Sequence, residues 1–135
     1  MAQENKELVL RDLCARLPYN CRVFYEYVDD LDGKTYGYSL ALNTWCIDEF
    51  VANKAVIKPY LRPMSSMTEE EKEELKEIGS EYLAKWENAQ DSIDKWRLDA
   101  EVSYKRSEFY NSHLLDWRGL IPKGLALEAP EVMYN

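Results

Sequence analysis

Apolar and polar positions follow two different rhythms along this chain. Over residues 6–17, Leu10, Leu13, Cys14 and Leu17 recur at helical spacing and stop at Pro18, which predicts a short amphipathic helix with its apolar face docked on the rest. Tyr19-Asn20 supplies the turn, asparagine being one of the few residues besides glycine that enters the left-handed region easily. Residues 21–28 are β-branched and aromatic, Asp29-Asp30-Leu31-Asp32-Gly33 reads as a turn, and residues 35–43 alternate with Tyr36, Tyr38, Leu40 and Leu42 on one face. This is a hairpin pattern. Residues 45–51 and 55–58 add two further short strands, joined by a turn at Asn53-Lys54. Four short antiparallel strands suit a small curled sheet or SH3-like barrel closed by the first helix, because a lone hairpin buries too little to stand by itself.

The rhythm changes across Lys58-Pro59-Tyr60-Leu61-Arg62-Pro63. Each proline lacks a backbone donor and biases its predecessor toward extended geometry, so the segment reads as a connector and not as a helix or a central strand. Thr68 and Glu71 then form a capping-box signature. Beyond it Leu75, Ile78, Tyr82, Trp86, Ala89, Ile93, Trp96, Ala100 and Tyr104 keep a 3.6-residue phase among charged neighbours. A straight helix over residues 68–107 would run roughly 60 Å, far beyond the roughly 14 Å radius of gyration of a compact chain of this length. Either it breaks near residues 88–92 and folds back, or it protrudes and pairs with another copy. The unbroken phase favours the long helix and self-association; Gly79 and the polar run Asn88, Gln90, Asp91, Ser92 oppose it. The last stretch, with Trp117, Leu120, Ile121, Leu125, Leu127 and Met133, is too apolar for a disordered tail and is expected to pack back. The expected fold class is therefore α+β, with residues 1–63 forming a helix and small sheet and residues 64–135 a helical extension and tail, all in one domain.

Charge narrows the partners. Residues 1–66 carry 8 basic and 9 acidic side chains, residues 67–135 carry 9 and 16, so the acidity belongs to the helical part. Direct nucleic-acid binding and anionic membrane surfaces both need basic groups to displace or attract counter-charge, and the balance argues against both. Cys14, Cys21 and Cys46 show no metal-ligand or disulfide spacing, and His113 is the sole histidine; no metal or cofactor is expected, and a reducing cell interior is. The start carries no apolar run suited to a secretory signal, and the uncharged stretch over residues 35–47 is too short to span a bilayer. A soluble cytoplasmic protein is the expectation.

Few residues invite chemistry. His113 with Asp116 resembles an acid–base pair only by proximity in sequence, with no nucleophile nearby, and a structural role is the simpler reading. Cys14 and Cys21 read as small apolar packers, since no cationic cluster flanks them. No enzyme activity is expected. Ten tyrosines and four tryptophans matter more. Tyr25, Tyr27, Tyr36 and Tyr38 fall on one sheet face as a platform for a small ligand or nucleotide, although burial is the commoner use of such a stripe. Trp86, Trp96 and Tyr104 are the anchors expected for a protein partner or a second copy. A third reading takes the acidic helix as a mimic of nucleic acid; Lys72, Lys76, Lys85 and Lys95 dilute it, and pairs such as Glu81 with Lys85 only support a solvated helix.

Three strings carry a resemblance: Leu13-Cys14-Ala15-Arg16-Leu17-Pro18-Tyr19, then Lys58-Pro59-Tyr60-Leu61-Arg62-Pro63-Met64-Ser65-Ser66-Met67-Thr68, and finally Arg118-Gly119-Leu120-Ile121-Pro122-Lys123-Gly124-Leu125-Ala126-Leu127-Glu128-Ala129-Pro130. The chain resembles small uncharacterised proteins of gut Bacteroidales phages and integrated mobile elements. Asn20 stands where that group often has glycine, and Leu114 where a second histidine commonly follows His113. The resemblance implies a genomic setting and no activity, cofactor or catalytic residue. It is weakest over residues 85–108, which places any function particular to this member on that helix. The leading expectation is a non-catalytic interaction module, an accessory protein acting on another protein.

Overall fold

The computed structural model describes residues 2–134, and its first helix, α1 (Gln3–Arg16), ends where Pro18 was expected to stop it. A 3-10 turn (Leu17–Tyr19) follows, and Asn20 reverses the chain at φ 56°. The buried face is not the apolar one read from the sequence. Val9, Asp12, Leu13 and Arg16 point inward, whereas Cys14 is exposed and is no core packer. Asp12 and Arg16 are one turn apart, and Arg16 Nε lies 3.1 Å from both Asp12 carboxylate oxygens while its Nη2 donates to the Leu115 carbonyl at 2.6 Å. Arg118 Nη1 donates to the same carboxylate at 2.6 Å. A charge so thoroughly bonded can be buried, and hydrophobic spacing alone does not show it.

Strands β1 (Arg22–Val28) and β2 (Thr35–Ala41) form the expected hairpin, with Tyr25 opposite Tyr38 and Tyr27 opposite Tyr36. Asp29 Oδ1 accepts from the amide of Leu31 at 2.7 Å and so holds the turn. The next segment corrects the sequence reading: residues 45–51 are not a strand but lie in a helix, α2 (Thr44–Val51). Asn43 caps it by accepting from the Cys46 amide at 3.0 Å, and Cys46 and Phe50, one turn apart, are its buried residues. Strand β3 (Val56–Leu61) then runs antiparallel to β1 straight through the supposed connector, with Pro59 buried in it. Pro59 faces Val23, a residue whose hydrogen bonds go to β2, so its missing donor points to the other side of β3, where pairing starts only at Tyr60. That explains the tolerance.

Strand β4 (Leu127–Glu128) pairs parallel with Tyr60 and Leu61, giving the order β2-β1-β3-β4. The fold is thus α+β, with four α-helices and an open, mixed, four-stranded sheet among the described residues; the wholly antiparallel sheet and the SH3-like barrel are not formed.

Thr68 makes the anticipated capping box: its hydroxyl accepts from the Glu71 amide at 3.1 Å and its amide donates to the Glu71 carboxylate at 2.8 Å. The helix it starts is not the long one. It stops after α3 (Glu69–Glu87), and α4 (Ser92–Ser112) begins after residues 88–91 and packs against it as a hairpin. Asn88 Nδ2 donates back to the Ala84 carbonyl at 2.9 Å, and Asp91 caps α4 by accepting from the Asp94 amide at 2.9 Å. Polar side chains that satisfy helix ends outweigh a continuous apolar phase here. Gly79 adds to the closeness of the seam, since a Cβ at that position would stand 3.1 Å from Arg106 Nη2.

The core lies where α1, α2 and the tail meet one face of the sheet, with Leu13, Val23, Ile57, Leu61 and Leu120 fully buried. The tail packs as expected. Asp116 accepts from the amides of Leu120 and Ile121 at 2.7 and 2.9 Å, and Tyr134 donates to the Tyr60 carbonyl at 2.7 Å.

Candidate functional site

Two aromatic surfaces stand out, one on the sheet and one on the helical hairpin. On the sheet, strand alternation and the β1–β2 register bring Tyr25, Tyr27, Tyr36 and Tyr38 onto one face, as the sequence suggested. Ring centroids are 5.4 Å apart for Tyr25 and Tyr38 and 6.0 Å for Tyr27 and Tyr36. Their exposure differs: Tyr25 belongs to the core, Tyr27 is half-buried, and Tyr36 and Tyr38 are exposed. Trp45 joins them, stacked on Tyr25 at 5.0 Å, a member missed because its segment was read as a strand. Asn43 placed before Cys46 and Phe50 was the signal for a capped helix there.

Beside this cluster runs a groove of about 760 Å³ lined by Tyr25, Tyr27, Phe50, Lys6, Lys54 and Asp30 among others. Its polar groups are partly committed. Lys6 Nζ donates to the Val51 carbonyl at 3.2 Å and to Asn53 Oδ1, and lies 5.6 Å from the centre of the Phe50 ring. Outside the groove's lining, Tyr36 donates to Asp32, which lowers the Asp32 pKa and raises that of Tyr36.

On the hairpin, Tyr82 is buried in the seam and Trp86 sits at its edge, with Lys95 Nζ 4.4 Å over the indole. A cleft of about 330 Å³ runs between Tyr82, Leu83 and Trp86 of α3 and Leu98 and Val102 of α4. The break at 88–91 re-phases the stripe, so α4 meets α3 through Leu98 and Val102 and not through the residues that continued the phase. Those residues face outward. Trp96 is 72% exposed, and Ile93 and Tyr104 are each 67% exposed. Ile93, Trp96, Ala100 and Tyr104 share one side of α4 at helical spacing. Ile93 was part of the stripe in the sequence but not among the anchors singled out.

The groups weighed for chemistry are in structural use. Asp116 is committed to two backbone amides, so it forms no dyad with His113. His113 Nδ1 sits 2.8 Å from the Phe109 carbonyl, which can only accept, and Nε2 is 3.9 Å from both Glu71 and Glu74. Arg62 grips Glu71 with two bonds of 2.7 Å, and that guanidinium holds the Glu71 carboxyl down at about 2. Cys21 is buried and its thiol is pushed up to about 11, far from a reactive thiolate. Among the described residues, no group of three or more His, Cys, Asp or Glu is placed to hold a metal ion, and no helix is long and apolar enough to cross a membrane. Comparison with protein-family models, with curated proteins and with solved structures finds no match.

Proposed function

We propose that this protein is a non-catalytic interaction module that holds a partner protein on the outer face of α4, and that it serves as an accessory protein of a phage or integrated mobile element inside its host cell. The setting comes from the resemblance carried by residues 13–19, 58–68 and 118–130. The supporting observation is the exposure of Ile93, Trp96 and Tyr104 along one side of a helix otherwise paired with α3. Large rings cost little side-chain entropy to immobilise and dominate interface energetics, and a helix presenting Ile93, Trp96, Ala100 and Tyr104 at i, i+3, i+7 and i+11 matches helix-in-groove recognition. The partner's chemistry follows from the flanks. Residues 69–91 carry nine acidic and three basic side chains, so a groove rimmed with lysine or arginine fits beside the aromatic stripe.

A capture experiment from Bacteroidales host cells tests this, using wild type and the Trp96→Ala/Tyr104→Ala double variant. A specific polypeptide retained by wild type should be lost with the variant, each ring contributing on the order of 2 kcal/mol, or roughly 30-fold in affinity. Equal capture by both proteins, or none by either, refutes the proposal.

One observation favours a second reading. The assembled Tyr25, Tyr27, Tyr36, Tyr38 and Trp45 rings beside the groove suit a small planar ligand, stacked and not paired by charge. A thermal-shift panel of nucleotides should then raise Tm in wild type and not in Tyr27→Ala.

A further inference from the structure

The outer edge of β2 carries an inference independent of α4. Two hydrogen bonds fix which way its backbone points: at one end of the hairpin the Leu42 amide donates to the Cys21 carbonyl at 2.8 Å, and at the other the Asp29 amide donates to the Lys34 carbonyl at 2.9 Å. Antiparallel pairs alternate, so Tyr36, Tyr38 and Leu40 spend their backbone groups on β1, and Thr35, Gly37, Ser39 and Ala41 aim theirs away from the sheet. β2 ends the strand order, and every residue in it but Leu40 is exposed.

Natural sheets guard such edges with lysine, proline, a bulge or a covering element. The seven residues of β2, Thr-Tyr-Gly-Tyr-Ser-Leu-Ala, contain no charge and no proline, and they pair with β1 in unbroken register. Gly37 introduces no weakness, because the Phe24 ring lies over it: a Cβ there would fall 2.4 Å from Phe24 Cζ.

We propose that this edge joins β2 of a second copy, antiparallel about a two-fold axis through Tyr38, to make one continuous eight-stranded sheet. The register selects a copy of this chain. With the axis at Tyr38, Thr35 meets Ala41 and Gly37 meets Ser39 of the other copy, so every outward-pointing residue enters a pair that exchanges two hydrogen bonds. On the aromatic face Tyr36 comes opposite Leu40, and the two Tyr38 side chains flank the axis. Charge agrees: the two acidic tips, each Asp29, Asp30 and Asp32, fall at opposite ends of the joint and so do not face one another across it. Isologous pairing of this kind closes after two copies.

The test is independent of any partner: light scattering and a concentration series on the purified full chain, with variants made in a Cys14→Ser background. Wild type and Trp96→Ala/Tyr104→Ala should both show twice the chain mass. Ser39→Pro removes an outward amide that edge geometry leaves unpaired within the chain, and it should give a monomer with an unchanged circular-dichroism spectrum. Tyr38→Cys should oxidise to a covalent dimer, since a non-hydrogen-bonded pair brings Cα atoms to about 4.5 Å, within disulfide range, whereas Ser39→Cys should not. If Ser39→Pro fails to fold, the two cysteine variants decide alone. A wild-type monomer at every concentration overturns the proposal, as does a dimer that survives Ser39→Pro or dissolves in the α4 double variant, or equal cross-linking by the two cysteines. A dimer without any captured partner would defeat only the α4 reading.

Discussion

Arg62 and Glu71 show how much one pair of side chains can organise. Arg62 ends the β3 crossing, bonds Glu71 twice, and also donates to the Ser66 and His113 carbonyls at 3.0 and 3.3 Å. Glu71 at the same time closes the capping box at Thr68. The pair therefore ties the start of α3 to the end of α4. Because the Glu71 pKa is lowered in the folded state, to about 2, its stabilisation is complete above the unfolded carboxylate value and disappears as pH falls through the folded one. Chemical denaturation between pH 5 and pH 2 should show that loss in wild type. Arg62→Met should be less stable at neutral pH by about 2 kcal/mol and show a shallower acid limb. Equal acid limbs in the two proteins would mean that the pair contributes nothing. At this scale the sequence was uneven. Thr68 and Glu71 were legible because capping depends on local spacing, while Arg62 reaching Glu71, and Arg118 reaching Asp12 from 106 residues away, depend on the finished fold.

Elements were read well where one local pattern dominated and badly where two competed. The β1–β2 hairpin followed from clean alternation and a turn with its own side-chain bonds. Residues 45–51 are apolar enough for a strand, and the capping asparagine and the one-turn spacing of Cys46 and Phe50 decided for α2. Asn43→Ala should consequently cost about 1 kcal/mol in a denaturant titration, as loss of an N-cap does; a strand in that place would be indifferent to it. The same competition split the long stripe, where Asn88 and Asp91 satisfied two helix ends and the apolar phase gave way. Tyr25, Tyr27, Tyr36 and Tyr38 converged as expected because period two in a registered hairpin leaves no freedom; Trp45 was missed with its helix.

For the whole molecule, the fold-back changes the functional argument. A helix that outran its domain was the original reason to expect self-association along the stripe, and that reason is gone. What replaces it is an outward face on α4 beside an acidic α3, and an unguarded strand edge on β2. The first fits a foreign partner and the second a copy of the chain, so a two-fold particle would offer two α4 faces and gain avidity toward any multivalent target. Fluorine NMR on 5-fluorotryptophan-labelled protein, with the resonance assigned through Trp96→Phe, probes that face in solution. Of the four indoles, Trp96 should give the largest H2O-to-D2O isotope shift in the free protein, and the shift should fall when the captured partner is added. A Trp96 signal already shielded in dilute free protein would mean that the face is covered from within, and the interaction module described above would not stand.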